Sequence, residues 1–241
     1  MNYRGLGIPE AVVELCCLAT EEAPQVLFLC ETKLDKQGFA NLKEKLNMTQ
    51  GLDVPRIGLG GRLALLWLEN IDLAVKTYSP HHMDSLILFE GVEWHFTGIY
   101  GHPVIARKGE SWELLRHLHA RMSYPWLLMG DFNEILHPNE YWGSDAHPYH
   151  RIAEFQHAID DCCLMNFGFE GPRFTWCNNR FQGNLVYERL DRGLCNHEWL
   201  NLFPHSKLFH TPFCFLDHLA ILTDIKATRS DLPKGPKHKF F

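Results

Sequence analysis

Short apolar runs of strand length recur along the chain, separated by polar segments that contain Gly or Pro. Such runs, bounded by turn residues, are typical of β-strands. From about residue 58 to residue 101 they follow one another closely, which indicates neighbouring and largely antiparallel strands. The predicted strands are residues 26–29, 63–68, 73–75, 86–89, 94–100, 126–129, 174–176, 187–194, 207–210 and 219–222.

Helical periodicity marks other segments. Pro9 stands in the first turn of a helix whose apolar positions include Val12, Leu15 and Leu18. The remaining predicted helices are residues 40–46, 108–122 and 152–162. The alternation of strands and helices, with hairpin-like stretches between them, predicts a one-domain α/β sandwich. No Gly-x-Gly-x-x-Gly or Walker-type phosphate loop occurs, and the strand pattern differs from that of a simple Rossmann sheet.

Composition narrows the class of protein. The 241 residues are 46% hydrophobic and 22% charged, which is ordinary for a globular domain with a sizeable core. No apolar run reaches the length of a membrane span, and the first residues lack a signal-peptide pattern. The net charge of −6 disfavours nucleic-acid binding by bulk charge, but it permits an enzyme with a local basic groove and a divalent cation.

The cysteines and histidines do not predict a zinc site. The 8 Cys include two adjacent pairs but no Cys-x-x-Cys, and several stand in apolar stretches. Buried free thiols in a reducing compartment are the interpretation that fits them. Most of the 15 His lie singly in polar context and are interpreted as surface residues.

Polar side chains stand at the ends of four strand-like runs. Two of them, Asp131 and Asn133, follow a buried run at alternate positions, which in extended chain point to the same side. Cleavage of a phosphodiester needs oxygen ligands for a hard cation, a group that orients water, and a group that stabilises charge on phosphorus. The candidate residues are Glu31, Asp131, Asn133, Asp191, Asp217 and His218.

Each candidate also has a structural interpretation. Asp131 and Asn133 are compatible with an Asx turn that closes a strand, and Glu31 with a cap. Asp191 lies between two arginines, so an exposed ion pair is the alternative there. Asp217-His218 are compatible with a loop dipeptide. Together, the six candidate residues indicate a catalytic site more strongly than any one of them does alone.

Seven motifs in this order resemble the endonuclease/exonuclease/phosphatase superfamily, and more narrowly the endonuclease domain of plant LINE-type (non-LTR) retrotransposons. The resemblance extends to about residue 226. The motifs are Asn2-Tyr3-Arg4-Gly5-Leu6-Gly7, Glu31-Thr32-Lys33-Leu34, Gly98-Ile99-Tyr100-Gly101-His102-Pro103, Met129-Gly130-Asp131-Phe132-Asn133-Glu134, Phe174-Thr175-Trp176, Glu188-Arg189-Leu190-Asp191-Arg192 and Asp217-His218.

The resemblance implies a DNase I-like fold: a four-layer sandwich of two packed mixed β-sheets flanked by helices. It implies a hydrolase that depends on Mg²⁺, with Mn²⁺ as a possible substitute. Glu31 would be the direct metal ligand, with Asn2 at the metal and Asp217 completing the metal or water network. The expected partner is DNA, without a membrane.

The resemblance also assigns roles in the reaction. Asp131 would position or deprotonate the attacking water, and Asn133 would hold the phosphate. His218 would stabilise the charged phosphorane or share the water, with its imidazole oriented by Asp191. Tyr100 would touch the phosphate.

Cations alternate with aromatic residues in the segment expected to contact DNA. Such a pattern suits a backbone groove with stacking or wedging. The alternative places Phe174 and Trp176 in a strand of the core, and leaves Arg180 solvated. The predicted substrate-binding residues are Arg173, Trp176, Arg180 and Arg189.

The sequence departs from the family pattern at two motifs. Only Met1 precedes Asn2, so the first core strand is expected to be truncated, and Leu216 replaces the usual Ser before Asp217. Residues 1–226 are predicted to form the domain and residues 227–241 a tail or linker, with no reverse transcriptase domain in this chain. We expect a monomer inside the cell, in the nucleus or the cytoplasm. The alternatives are an inactive remnant of the domain and a phosphatase of the same superfamily.

Overall fold

In a computed structural model, residues 6–7, 9–54, 62–178, 183–211 and 217–226 and the backbone of Lys239–Phe240 are described. The helices are α1 (Pro9–Glu22), α2 (Lys36–Leu46), α3 (Lys108–His119), α4 (Tyr149–Asp161) and α5 (His197–Leu202). The strands are β1 (Val26–Leu29), β2 (Gln50–Val54), β3 (Leu63–Trp67), β4 (Asp72–Ser79), β5 (His82–Phe89), β6 (Val92–Tyr100), β7 (Trp126–Asp131), β8 (Tyr141–Trp142), β9 (Met165–Asn166), β10 (Phe169–Glu170), β11 (Trp176–Cys177), β12 (Tyr187–Glu188), β13 (Asp191–Cys195), β14 (Lys207–Thr211), β15 (Ala220–Asp224) and β16 (Lys239–Phe240).

The strands form two large mixed sheets and one small sheet. The seven-stranded sheet has the order β10-β14-β15-β16-β1-β3-β2, and the six-stranded sheet has the order β4-β5-β6-β7-β13-β9. Strands β4, β5 and β6 pair antiparallel, as the sequence predicts. Strands β6 and β7 pair parallel, and helix α3 lies in the connection between them. Strands β11, β12 and β8 form a small three-stranded sheet.

Side chains along the buried strands alternate between the central core and the cores under the helices, which gives the fold four layers. In β7, Leu127 and Met129 belong to the core between the two large sheets, whereas Trp126 and Leu128 pack under α3 and α4. In β3, Leu65 belongs to that same central core, while its neighbours Ala64 and Leu66 pack under α1 and α2. Because successive side chains of a strand point to opposite faces, strands buried on both faces need apolar residues at every position. The two sheets therefore pack face to face with helices outside.

Several elements differ from the sequence prediction, and strands β2, β8, β9 and β10 are not among the predicted ones. The predicted strand at residues 187–194 is wrong as one element: β12 and β13 belong to different sheets. Helix α5 was not predicted, although Asn196 caps it by accepting from the Trp199 amide. Strand β16 lies within the predicted tail. Residues around Asn2 lie outside the described part of the chain, so the predicted truncation of the first strand stays a prediction. No helix of the described residues is long and apolar enough to cross a bilayer.

In the described part of the chain, the seven-stranded sheet has a gap between β1 and β15. Strand β16 enters it at one end, where Phe240 pairs with Val26 on one side and with Thr223 on the other. Among the described residues, no strand pairs with the rest of these two facing edges. A cavity of about 150 Å³ lies beside the gap, and its apolar lining includes Leu6 and Leu27. The gap thus offers backbone hydrogen-bonding groups and apolar surface to one more strand.

We expect an extension ahead of Asn2 to fill this gap. The extension would have about six residues with alternating apolar positions, roughly one strand length. The extension should raise the melting temperature, since each added kcal/mol corresponds to roughly 2–4 °C in a domain of this size. An extension of the same length made of Gly and Ser is the control in differential scanning calorimetry. Equal melting temperatures for the two proteins would contradict the prediction.

Candidate active site

Three strands of the six-stranded sheet bring polar side chains into one row. Strands β6 and β7 run parallel and end together, with Tyr100 opposite Asp131. Strand β13 runs antiparallel to β7 and begins with Asp191, which also lies opposite Asp131. Tyr100, Asp131 and Asp191 are therefore neighbours, although more than 90 residues separate the first from the last. The strand ends place these groups at one edge of the central core.

Glu31 reaches this row from the opposite sheet. It follows β1, and its backbone has a φ of 52°, in the left-handed region that non-glycine residues rarely adopt. The Tyr100 hydroxyl donates a hydrogen bond of 2.6 Å to Glu31 Oε1. Burial and the Glu31 charge raise the pKa of Tyr100, so its hydroxyl remains a donor at neutral pH. The hydrogen bond fixes one oxygen of Glu31 beside the row.

A histidine and a carboxylate form the next part of the site. His218 Nδ1 lies 2.8 Å from Asp191 Oδ2. The backbone of His218 forms an antiparallel bridge with Trp176. The buried Thr175 hydroxyl oxygen accepts hydrogen bonds of 3.0 Å from the amides of Leu190 and Asp191. Asp191 is therefore held at both its main chain and its side chain, and it fixes the orientation of the imidazole.

The charges of these groups are coupled. Burial and the neighbouring Asp191 raise the pKa of Asp131, although the charge of His218 opposes them. Burial alone would lower the pKa of His218, but the charges of Asp191 and Asp131 outweigh it and raise the pKa. At neutral pH the imidazole is therefore positively charged, next to two carboxyl groups.

These three residues also cluster as metal-binding groups do, although a charged imidazole has no lone pair for a metal, so the ligands would be the carboxylates. One ligand atom from each of Asp131, Asp191 and His218 lies within 4.8 Å of the others. Two carboxylates with a third from Glu31 nearby make an oxygen-rich set of donors, which suits Mg²⁺ or Mn²⁺ better than a soft metal. A cation here would also reduce the repulsion between buried carboxylates, so the residues fit a divalent metal.

Asn133 is fixed by the residue two positions before it. Its amide donates to Asp131 Oδ1 at 2.7 Å, and its side-chain Nδ2 donates to Asp131 Oδ2 at 3.1 Å and to the Gly101 carbonyl at 2.9 Å. Asp131 and Asn133 thus form an Asx turn. Asp131 also lines the site cavity, whereas Asn133 is not among the lining residues and uses both Nδ2 hydrogens within the fold. Gly130 before them has a φ of 143°, and a Cβ there would lie 2.0 Å from the Ile99 carbonyl oxygen. Only glycine allows this close approach.

The cavity beside the gap between β1 and β15 also collects most of the predicted catalytic and metal residues. Asp217 borders it, half-buried, and its charge contributes to the raised pKa of His218. Asn2, Arg180 and Leu216 lie outside the described residues. The predicted site residues that line the cavity are Glu31, Tyr100, Asp131, Asp191, Asp217 and His218.

The predicted substrate-binding residues are not equivalent. Arg173 is exposed, with its guanidinium 5.1 Å above the ring centroid of Phe174. Trp176 is half-buried, and its ring centroid lies 6.4 Å from that of His218, at the border of the site. The prediction that Arg189 binds substrate is wrong. Its side chain is 3% exposed and bonds Glu140 at 2.8 Å, so it does not reach a substrate surface.

Sequence reasoning missed two kinds of residue that shape the site. Thr175 stands inside a quoted motif, but its contact with the main chain of Asp191 depends on long-range pairing. Lys108 and Glu134 form a buried ion pair behind Asn133. The only available signal for Glu134 was its position directly after the Asp131–Asn133 turn.

Two packed mixed sheets that carry buried carboxylates and a carboxylate-bound histidine at one edge define a class of nuclease and phosphatase hydrolases. The chain belongs to the Endonuclease/Exonuclease/phosphatase family, which matches residues 12–218. No curated protein sequence gives a significant match.

Solved structures agree with this family. The endonuclease domain of TRAS1, a telomere-specific non-LTR retrotransposon, superposes with a TM-score of 0.69 at 14% identity, covering 92% of this chain and 95% of that one. The AP endonuclease LMAP from Leishmania major gives 0.69 at 13% identity, covering 91% and 84%. An AP endonuclease from Archaeoglobus fulgidus gives 0.67 at 14% identity, covering 94% and 97%. The predicted two-sheet fold class and the predicted resemblance to the endonuclease/exonuclease/phosphatase superfamily are confirmed, and the match to a retrotransposon endonuclease domain is a likeness of fold.

Proposed function

We propose that this chain is a divalent-metal-dependent phosphodiesterase that nicks DNA, and that it derives from the endonuclease domain of a plant LINE-type retrotransposon. The observation that carries the proposal is the single cavity that joins Glu31, Asp131 and the Asp191–His218 pair. The proposal includes residues 1–226 as the domain, a monomeric state, and action in the nucleus or cytoplasm.

The metal would be held by oxygen ligands. Glu31 would be the direct ligand, with Asn2 and Asp217 at the metal or its waters. Mg²⁺, or Mn²⁺ in its place, would polarise the phosphate and neutralise charge that develops on it. The Tyr100 hydroxyl donates its one hydrogen to Glu31 and keeps that carboxylate in place. A contact of Tyr100 with the phosphate would require this hydrogen to turn from Glu31 to a phosphate oxygen once a metal neutralises Glu31.

Side chains of the protein would fill the remaining catalytic roles. Asp131 would orient the attacking water and take its proton, and a pKa raised by burial suits a base that works near neutral pH. The Asn133 side chain would hold a phosphate oxygen by exchanging one of its two Nδ2 hydrogen bonds, to Asp131 or to Gly101. The His218 imidazolium, oriented by Asp191, would stabilise the negative charge of the phosphorane.

DNA would approach across the small sheet beside this cavity. Arg173 would contact the DNA backbone and Trp176 would stack or wedge, and Arg180 belongs to the same segment of the sequence. Because the net charge of the chain is negative, binding would depend on such local cations rather than on bulk charge.

The decisive assay is nicking of supercoiled plasmid. We expect the protein to convert it to open circles with Mg²⁺ but not with EDTA. Glu31→Ala, which removes the proposed metal ligand, and His218→Ala, which removes the proposed cation, should each slow nicking by about 10²-fold or more. Folding of the variants is checked by thermal melting.

A wild-type rate no higher than that of the two variants would contradict the endonuclease proposal. Hydrolysis of phosphomonoesters without nicking would instead indicate a phosphatase of the same family. The absence of both activities in a folded protein that still binds DNA would indicate an inactive remnant of the domain.

A further inference from the structure

Lys108 is buried behind the candidate active site. It is the first residue of α3, and its side chain is 6% exposed. Lysine is rarely buried unless its ammonium is paired, because desolvation of the charge is costly. Its contacts therefore indicate why a cation is kept at this position.

The Lys108 ammonium has two partners on the segment that follows β7. It donates to the carbonyl oxygen of Asn133, and it lies 3.0 Å from Glu134 Oε2. Glu134 is fully buried and is also bonded by Arg151 and by His147, at 2.9 Å each. Burial alone would raise the pKa of Glu134, but these donors outweigh it and lower the pKa to about 2. Glu134 is therefore a fixed anion that holds the Lys108 ammonium under Asn133.

Asn133 needs such support more than its neighbours. Its φ of 54° lies in the left-handed region, where a side chain costs conformational energy. Its amide and side chain are held by Asp131 and Gly101, so Lys108 adds the bond to the remaining main-chain polar group, the carbonyl. Four bonds thus fix one residue from three elements of the fold.

We propose that Lys108 is a positioning residue: its ammonium holds the Asn133 peptide, and with it the hydrogen bonds by which Asn133 fixes the Asp131 carboxylate that would orient the attacking water. The inference rests on the proposed function. Lys108 itself does not touch substrate in this arrangement, and it acts through the main chain of Asn133.

Nicking kinetics test the proposal with Lys108→Met, which keeps the apolar stem and removes the donor. Arg116→Met is the matched control, because Arg116 lies on the same helix in exposed ion pairs with Glu113 and Asp161. We expect kcat to fall on the order of 10²-fold in Lys108→Met with KM changed less, because a small misplacement mainly affects the transition state. Lys108→Arg, which retains a cationic donor, should restore part of the rate. A kcat for Lys108→Met equal to that of Arg116→Met would overturn the proposal.

Amide hydrogen exchange gives a second readout that needs no activity. The Asn133 amide, bonded to Asp131 in the native protein, should exchange at least about tenfold faster in Lys108→Met and unchanged in Arg116→Met. Unchanged exchange would refute the positioning role even if the protein nicks DNA. Faster exchange in a protein that never nicks would refute the endonuclease and leave the positioning role intact. If Lys108→Met does not fold, Glu134→Gln carries both measurements, with the same directions and smaller effects.

Discussion

Replacing Asp191 by Asn is expected to lower kcat for plasmid nicking by roughly 10²–10⁴-fold, with a much smaller effect on KM. The carboxylate lies 2.8 Å from His218 Nδ1 and raises the pKa of the imidazole. An amide of the same shape removes the charge that keeps His218 protonated, and it allows the ring to turn or to change tautomer. The measurement is the single-turnover nicking rate as a function of pH.

The pH profile separates loss of charge from loss of structure. If the imidazolium is the active form, the rate declines at high pH as His218 loses its proton. Removing Asp191 lowers the pKa of His218, so the decline should move to lower pH in Asp191→Asn. Asp160→Asn, the same substitution at an exposed position of α4, is the control. A kcat within about threefold of that control would exclude a role for Asp191 in orienting His218.

The sequence predicts the Asp131–Asn133 part of the site because local patterns determine it. An apolar run fixes the buried strand β7, and near its end Gly130 permits a close approach to the Ile99 carbonyl. Alternation along β7 then places Asp131 on the site, whereas Asn133 follows the strand in the left-handed region, which alternation does not predict. The same alternation predicts the sandwich, because strands with apolar residues at every position must be covered on both faces.

Asp191 shows where local reasoning fails. The alternative of an exposed ion pair with Arg189 and Arg192 is wrong, because both arginines are buried and bond Glu140, about 50 positions earlier in the chain. The split of residues 187–194 into two strands frees Asp191 to bond His218 instead. Such pairings follow from sheet register and tertiary packing, which no short window of sequence contains.

The same cluster yields the largest expected effect on stability. Glu140→Gln should lower the free energy of unfolding by about 3–5 kcal/mol, the usual cost of breaking a buried ion pair from one side. Glu140 lies 2.8 Å from Arg189 Nη1 and 2.8 Å from Arg192 Nη2, and the two arginine side chains are 3% and 0% exposed. A neutral amide leaves two buried cations without an anion. Urea denaturation at pH 7 measures the loss.

Glu113→Gln is the matched control, since Glu113 is 76% exposed and pairs with Arg116 on the surface. Its effect should stay within about 0.5 kcal/mol, and an equally small effect for Glu140→Gln would show that the buried cluster contributes nothing net.

The pH dependence of stability is an independent measurement of the same cluster. Burial alone would raise the pKa of Glu140, but Arg192 and Arg189 outweigh it and lower the pKa from its ordinary 4.5 to about 2. A carboxyl group whose pKa is lower in the folded state stabilises that state fully when the pH is above the pKa of the unfolded chain. The stabilisation disappears as the pH falls through the pKa of the folded state. The difference in stability between wild type and Glu140→Gln should therefore be constant above about pH 5 and shrink between pH 4.5 and pH 2. A difference that does not change with pH would mean that Gln disturbs packing rather than charge.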